Sequence, residues 1–148
     1  MSFFDAVASA FKQYFILSGR ASRSEFWWFI FFLFLLYLLT FNLMLNEIGG
    51  ASSFNEEEFL SNFWTSWFGL AIIFTTIPSI TIAVRRFHDI NMSGWWYVAL
   101  QIVPNILGQY ITVFILISFI TLFVFLYFMC VRGGDENQYG TNPLYNKE

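Results

Sequence analysis

The sequence predicts an all-α fold, a polytopic membrane helical bundle with four spans, the third short or re-entrant, and an N-terminal amphipathic interfacial helix. Of its 148 residues, 57% are hydrophobic and 11% are charged, which would leave a soluble domain with large apolar patches in water. No Lys or Arg occurs between Arg23 and Arg85. Tryptophan favours the boundary between hydrocarbon and lipid headgroups. We expect six interface anchors, which are Trp27, Trp28, Trp64, Trp67, Trp95 and Trp96.

A single integral membrane domain is expected to cover residues 1–148. Residues 3–17 carry apolar side chains at helical spacing, with polar side chains on the other face. This pattern predicts an amphipathic helix that lies in the cytoplasmic interface of the membrane. Ser2 and Asp5 are placed to cap its start.

Two long apolar runs predict the first two spans. Residues 26–45 lack charge, and twenty helical residues at about 1.5 Å each match a hydrocarbon core of roughly 30 Å. Ser22 and Glu25 form a capping box ahead of this run. The second run, 63–84, contains Pro78, which removes one helical hydrogen bond and predicts a kink. The freed backbone group is expected to bond to a nearby hydroxyl, from Thr75, Thr76, Ser79 or Thr81.

The third uncharged stretch, from Trp95 to Val131, is too long for one span, because a single helix would measure about 55 Å. A cluster of turn-forming residues near its middle predicts a fold-back, and it contains Pro104, Asn105, Gly108 and Gln109. The resulting membrane segments are 95–107 and 110–131. The shorter one is either a thin full span or a re-entrant half-helix. Four passes are favoured over three.

The positive charges predict the orientation. With four passes, all seven Lys and Arg residues fall on one side, which the positive-inside rule makes cytoplasmic. Both termini are then cytoplasmic, and residues 132–148 form a cytoplasmic tail. The loop 46–62 carries no base and is expected to face outward with its acidic residues, Glu47, Glu56, Glu57 and Glu58.

Three polar segments meet on the cytoplasmic side of the four-pass topology. They carry the motifs G-R-A-S-R-S-E-F-W-W, R-R-F-H-D-x-x-x-S-G-W-W and Y-G-x-N-P, in this order. These motifs resemble those of the bacterial domain-of-unknown-function family eight hundred and five, small inner-membrane proteins of the YhaH type. The resemblance covers nearly the whole chain. It implies a multi-pass protein of the bacterial cytoplasmic (inner) membrane with no established activity.

Four arginines are candidates for binding anionic lipid or a partner protein, and they are Arg20, Arg23, Arg85 and Arg86. A second hypothesis joins these arginines into a loop ion cluster through three further side chains, Glu25, His88 and Asp89. Turn composition predicts that the tail docks back onto the loops through Tyr139, Gly140, Asn142 and Pro143.

Little in the sequence favours catalysis. His88 and Asp89 are adjacent and would not face each other on a helix, and His88 is the single histidine. We therefore expect no metal site and no cofactor, and an enzyme is disfavoured. The spans lack ionisable groups, which also disfavours ion-coupled carriers. Polar side chains within the spans suit interhelical hydrogen bonds, and they are Asn42, Thr75, Thr76, Thr81, Gln101, Asn105, Thr112, Ser118 and Thr121.

The leading functional hypothesis is a structural or interaction protein whose basic cytoplasmic face binds membrane lipid or a partner membrane protein. A homo-oligomer is the other partner considered, and no basic domain indicates nucleic acid. A small-solute channel or carrier is the alternative hypothesis. An enzyme acting on lipid headgroups is the third.

Overall fold

The computed structural model describes residues 1–47 and 56–143, which contain helices and connecting turns but no strand. The helices are α1 (Phe3–Lys12), α2 (Arg23–Glu47), α3 (Glu56–Phe63), α4 (Trp67–Asp89), α5 (Trp95–Tyr97), a π-helical segment (Val98–Ile102), α6 (Val103–Gly108) and α7 (Val113–Cys130). Three of the described helices, α2, α4 and α7, are long and apolar enough to cross a membrane. The coarse fold prediction is therefore confirmed.

Helix α1 begins as predicted but ends early. The Ser2 hydroxyl accepts the Asp5 N–H at 3.2 Å, and the Asp5 carboxylate accepts the Ser2 N–H at 3.3 Å, which completes the capping box. The helix stops at Lys12, not at residue 17, because the chain turns at residues 13–15. The fully buried Ala6 and Ala10 have small side chains, which let α1 pack closely against α2 and α4.

Helix α2 starts three residues before the predicted boundary, at Arg23, and its predicted capping box is only half formed. The Ser22 hydroxyl accepts the Glu25 N–H at 3.2 Å. The Glu25 carboxylate does not return to the backbone of Ser22. It accepts hydrogen bonds from Ser9 and Arg85 instead. The glutamate is thus directed into contacts between helices.

Helix α4 is displaced from the predicted 63–84 at both ends. It begins at Trp67, after Ser66 caps it by accepting the Gly69 N–H at 3.1 Å, because the preceding residues form the separate helix α3. It continues to Asp89 and passes through Pro78. The region from Arg85 to Asp89, predicted to follow the span, is therefore the last turn of the helix.

The carbonyl freed by Pro78 bonds to a residue outside α4. Proline has no N–H to donate four residues back, to Phe74. The Tyr14 hydroxyl donates to the Phe74 carbonyl at 2.6 Å. The predicted hydroxyl donors were wrong, because Thr75, Thr76, Ser79 and Thr81 each donate to other carbonyls of α4. The chain after α1 is thereby tied to the middle of α4.

The third apolar stretch folds back, but later than the turn composition predicted. Residues 95–108 are helical throughout, and Pro104 and Asn105 lie inside α6. The π-helical segment ends directly before α6, and such wider turns accommodate a residue that lacks an N–H. The turn falls at residues 109–112, after which α7 packs against α6. At Gly94, an added Cβ would lie 2.6 Å from Val84 Cγ1, so α5 approaches α4 closely.

The buried core lies near the start of α2 and the ends of α4 and α7. Aromatic side chains dominate it, including Phe26, Phe29, Phe87 and Phe125. Outside this core the long helices turn large apolar side chains outward, and only 11% of the residues of α7 are buried within the protein. Such a surface requires an apolar solvent.

Candidate functional site

A network of arginines and carboxylates lies at the end of the bundle where α2 begins and α4 and α7 end. It brings together five of the candidate residues from the linker before α2, the first turn of α2 and the last turn of α4. All five are buried, with exposed fractions of 8% for Arg20, 5% for Glu25, 1% for Arg85, 0% for Arg86 and 4% for Asp89. We call these five residues the arginine network.

Asp89 is the first centre of the arginine network. Its Oδ1 atom accepts from Arg20 Nε at 2.9 Å and lies 2.8 Å from Arg20 Nη2, while its Oδ2 atom accepts from Arg86 Nη1. The tail crosses this carboxylate at Gly133, where an added Cβ would clash with Oδ2. A glycine is required there because no side chain fits between the tail and Asp89.

The remaining donors of Arg20 and Arg86 bind backbone carbonyls of the chain's final segment. Arg20 donates to the carbonyls of Gly134, Asp135 and Gly140. Arg86 donates to the carbonyl of Met129 at 3.2 Å and to that of Val131. Carbonyls at a helix C-terminus have no intrahelical donor, so Arg86 caps α7. The two arginines therefore join the ends of α2, α4 and α7.

Glu25 and Arg85 form the second centre. Arg85 Nη1 donates to Glu25 Oε1 at 3.3 Å and to Gln13 Oε1 at 2.8 Å. The same Glu25 oxygen accepts the Ser9 hydroxyl at 2.9 Å. Arg85 Nε and Nη2 are buried without a hydrogen-bond partner among the described residues. This centre connects α1, α2 and α4.

His88 lies beside the arginine network and faces the tail. Its ring stacks on that of Tyr139, with centroids 3.9 Å apart and planes 2° from parallel. Its Nδ1 atom lies 3.1 Å from the carbonyl of Gly19, and its own carbonyl accepts the Asn137 amide at 2.8 Å. The neighbouring Asp89 carboxylate is occupied by arginines, so the two side chains do not act as a pair.

The tail residues chosen from turn composition differ in their contacts. The Gly140 carbonyl accepts from Arg20 at 3.0 Å, and the Asn142 amide donates to the Gly134 carbonyl at 3.2 Å. Gly140 also has a φ of +123°, which a side chain would strain. Pro143 lines a cleft beside Arg132.

Arg23 is the candidate arginine that stays outside the arginine network. Its side chain is exposed, and its Nη1 atom lies 3.5 Å from the carbonyl of Cys130. Arg132, which was not among the candidates, is exposed on the same side. Sequence reasoning also missed Ser9 and Gln13, although both fall on the polar face of the N-terminal helical pattern. Every residue has a backbone carbonyl, so the sequence does not indicate which carbonyls Arg20 and Arg86 bind.

All six tryptophans expose their rings, from 38% for Trp27 to 76% for Trp95. Trp27 and Trp28 lie in the first turns of α2, next to the arginine network. Trp64 precedes α4 and Trp67 is its first residue, so both lie near the start of this candidate span. Among residues 1–47 and 56–143, no group of three His, Cys, Asp or Glu could hold a metal ion.

Comparison with known proteins gives a family. A family model described as protein of unknown function (DUF805) matches residues 14–141. Inner membrane protein YhaI of Escherichia coli K12 is 27% identical over 139 residues, which cover 93% of each chain. Inner membrane protein YhaH of the same strain is 30% identical over 137 residues, covering 89% of this chain and 90% of the relative. No solved structure matches. The chain therefore belongs to the DUF805 family of proteins of unknown function, with relatives in the bacterial inner membrane.

Proposed function

We propose that this protein is a four-pass structural or interaction protein of the inner membrane, whose arginine network faces the cytoplasm and whose outer basic side chains bind anionic lipid. The four-pass topology is supported by the contacts of Arg86, which join the end of α4 to the end of α7. If both helices span, the chain must return across the membrane between Asp89 and Val113. Residues 95–108 make that return over about 21 Å of helix, which describes a short span.

The orientation follows from the charge distribution. Every Lys and Arg of the described residues lies before α2, in its first turn, at the end of α4 or after α7. Four passes bring these positions to one side, and the positive-inside rule makes that side cytoplasmic. Helix α1 then lies at the cytoplasmic interface, where its fully buried alanines face the bundle and the exposed Phe4 faces lipid.

Cysteine labelling tests this topology. In a Cys130→Ser background, single cysteines replace the exposed residues Asn91, Gln109 and Glu136. We expect a membrane-impermeant reagent to label only position 109 in intact cells, and positions 91 and 136 after permeabilisation. Labelling of position 136 in intact cells would support three passes and contradict the proposal.

The proposed preference for anionic lipid rests on one observation. Three buried arginines share the two carboxylates of the arginine network, and two further arginines, Arg23 and Arg132, stay exposed beside it. Each base near an anionic membrane surface contributes roughly 1 kcal/mol of attraction. Exposed bases next to a network already rich in positive charge would therefore concentrate anionic lipid around this end.

Lipid retention tests the function. The protein is purified in mild detergent, mixed with equal amounts of phosphatidylglycerol and phosphatidylcholine, and analysed for bound lipid by native mass spectrometry. We expect phosphatidylglycerol to be retained several-fold more. Equal retention of the two lipids would reject the lipid role, and copurification of one membrane protein in fixed ratio would then favour a protein partner.

A further inference from the structure

A cleft of about 290 Å³ opens beside the arginine network, between the start of α2 and the tail. Its lining includes two arginines and two serines, which are Arg23, Arg132, Ser22 and Ser24. Arg23 is the first residue of α2, and Arg132 follows the end of α7. The exposed tryptophans of α2 begin four residues beyond Arg23. The cleft therefore lies where the proposed membrane boundary would place lipid phosphates.

The charges around this cleft are unbalanced. Arg132 makes no hydrogen bond or ion pair with residues 1–47 or 56–143, and the contact of Arg23 with the Cys130 carbonyl is long, at 3.5 Å. Asp89 is the one acidic lining residue in the described part of the chain. Both of its oxygens are already taken by Arg20 and Arg86. Arg23 is also close enough to Arg86 to repel it. An anion in the cleft would relieve this excess.

The two serines add a hydrogen-bond donor. Their hydroxyl oxygens lie 3.1 Å apart, so one hydroxyl donates to the other. Only one of the two hydrogens can lie between these oxygens. The other is available for a ligand, and the Ser22 oxygen is held in place by the Glu25 N–H. The cleft thus combines two guanidinium groups with a hydroxyl donor.

We infer that this cleft binds a single phosphate group. Guanidinium groups match the charge and the oxygen geometry of phosphate, and their hydrogen bonds to it are charge-assisted. A lipid headgroup and a soluble phosphate present the same oxygens. The lipid source rests on the proposed function, whereas the phosphate chemistry rests on the cleft itself.

The test compares two single-charge variants of the purified full chain. Arg132→Gln removes one positive charge from the cleft, and Lys12→Gln removes one from α1, where Lys12 is exposed and does not line the cleft. Each protein is titrated separately with phosphatidylglycerol in detergent micelles and with inorganic phosphate. Loss of one charge-assisted guanidinium contact in the cleft should weaken phosphate binding about tenfold for Arg132→Gln. Lys12→Gln should change it less than twofold, with both melting temperatures unchanged.

The outcomes separate the source of the phosphate from the existence of the site. Binding of phosphatidylglycerol alone, with the loss specific to Arg132→Gln, assigns the cleft to a lipid headgroup. Binding of inorganic phosphate with the same dependence assigns it to a soluble phosphate, even if the wild-type protein shows no lipid preference. If the two variants have equal effects, or if neither probe binds, the cleft is not a phosphate-binding site. If the two variants have equal effects but the protein still retains phosphatidylglycerol preferentially, the phosphate site in the cleft is rejected and the proposed function is not.

Discussion

The polar side chains of this protein form hydrogen bonds in two different ways, depending on whether they lie at the charged end or within the spans. At the charged end, the bonds of Arg20 and Arg86 reach carbonyls far along the chain and join separate elements. Within the spans, most polar side chains bond to a carbonyl three or four residues earlier in their own helix, as Asn42, Thr76 and Ser118 do.

The prediction that the polar side chains of the spans join different helices was therefore largely wrong. A local carbonyl is always within reach of a helical hydroxyl, so the side chain needs no partner helix. Two bonds depart from this pattern. Tyr37 and Thr75 place their hydroxyls 2.6 Å apart between α2 and α4, and Tyr14 bonds to the Phe74 carbonyl. Tertiary specificity is thus concentrated at the charged end, while apolar packing holds the spans.

The largest effect is expected from Asp89→Ala. This change removes the carboxylate shared by Arg20 and Arg86 and leaves two buried guanidinium groups without their charged partner. Breaking a buried ion pair in this way costs about 3–5 kcal/mol of unfolding free energy. Denaturant titration in detergent, followed by tryptophan fluorescence, measures the loss.

Asp135→Ala is the matched control for Asp89→Ala. It removes an acid from the same end, but Arg20 bonds to the backbone carbonyl of Asp135, which alanine keeps. The side chain of Asp135 is exposed, so its loss should change stability by less than about 0.5 kcal/mol. Equal losses for the two variants would mean that net charge, and not the buried pair, stabilises this end.

An intermediate effect is expected from Tyr14→Phe, which removes the donor to the Phe74 carbonyl. A typical hydrogen bond contributes about 1 kcal/mol. In a Pro78→Ala background, the alanine N–H can bond to that carbonyl within the helix, so Tyr14→Phe should cost almost nothing. The difference between the two backgrounds, measured by the same titration, is the coupling energy. Equal costs in both backgrounds would show that the hydroxyl does not compensate for the proline.

The smallest effect is expected from Ser118→Ala. Its hydroxyl donates to the Phe114 carbonyl at 2.8 Å within α7, and that carbonyl keeps its backbone partner. The unfolding free energy should stay within about 0.5 kcal/mol of the wild type. A loss as large as that of Tyr14→Phe would place Ser118 in a contact between helices and weaken the contrast between the two regions.

The spans could be predicted from the sequence because an uncharged run of sufficient length is enough to define them. Their ends could not, since charges from Arg85 to Asp89 indicate a loop to any rule based on hydropathy, yet the helix continues through them. Pro104 was assigned to a turn because proline usually breaks helices, but the π-helical segment directly before α6 lets the helix continue through it.

The candidate site was predictable only in part. The criterion of a basic residue next to a predicted span selects Arg20 and Arg23 alike. It does not separate one that is 8% exposed from one whose side chain faces outward. The difference is made by tertiary folding, which brings the carbonyls of the tail to Arg20. Arg132 was overlooked because it lies in a tail that also carries Asp135 and Glu136.

The contacts of Arg20 set an order of events during synthesis. Arg20 leaves the ribosome early, but the carbonyls of Gly134 and Gly140 that accept its N–H groups are made more than a hundred residues later. Until then its guanidinium must stay hydrated, because burial without acceptors is costly. The charged end can therefore close only after the segment from Gly134 to Gly140 has been synthesised. A chain truncated before Gly134 would keep an open, hydrated arginine at the membrane surface, which distinguishes it from a chain that carries this segment.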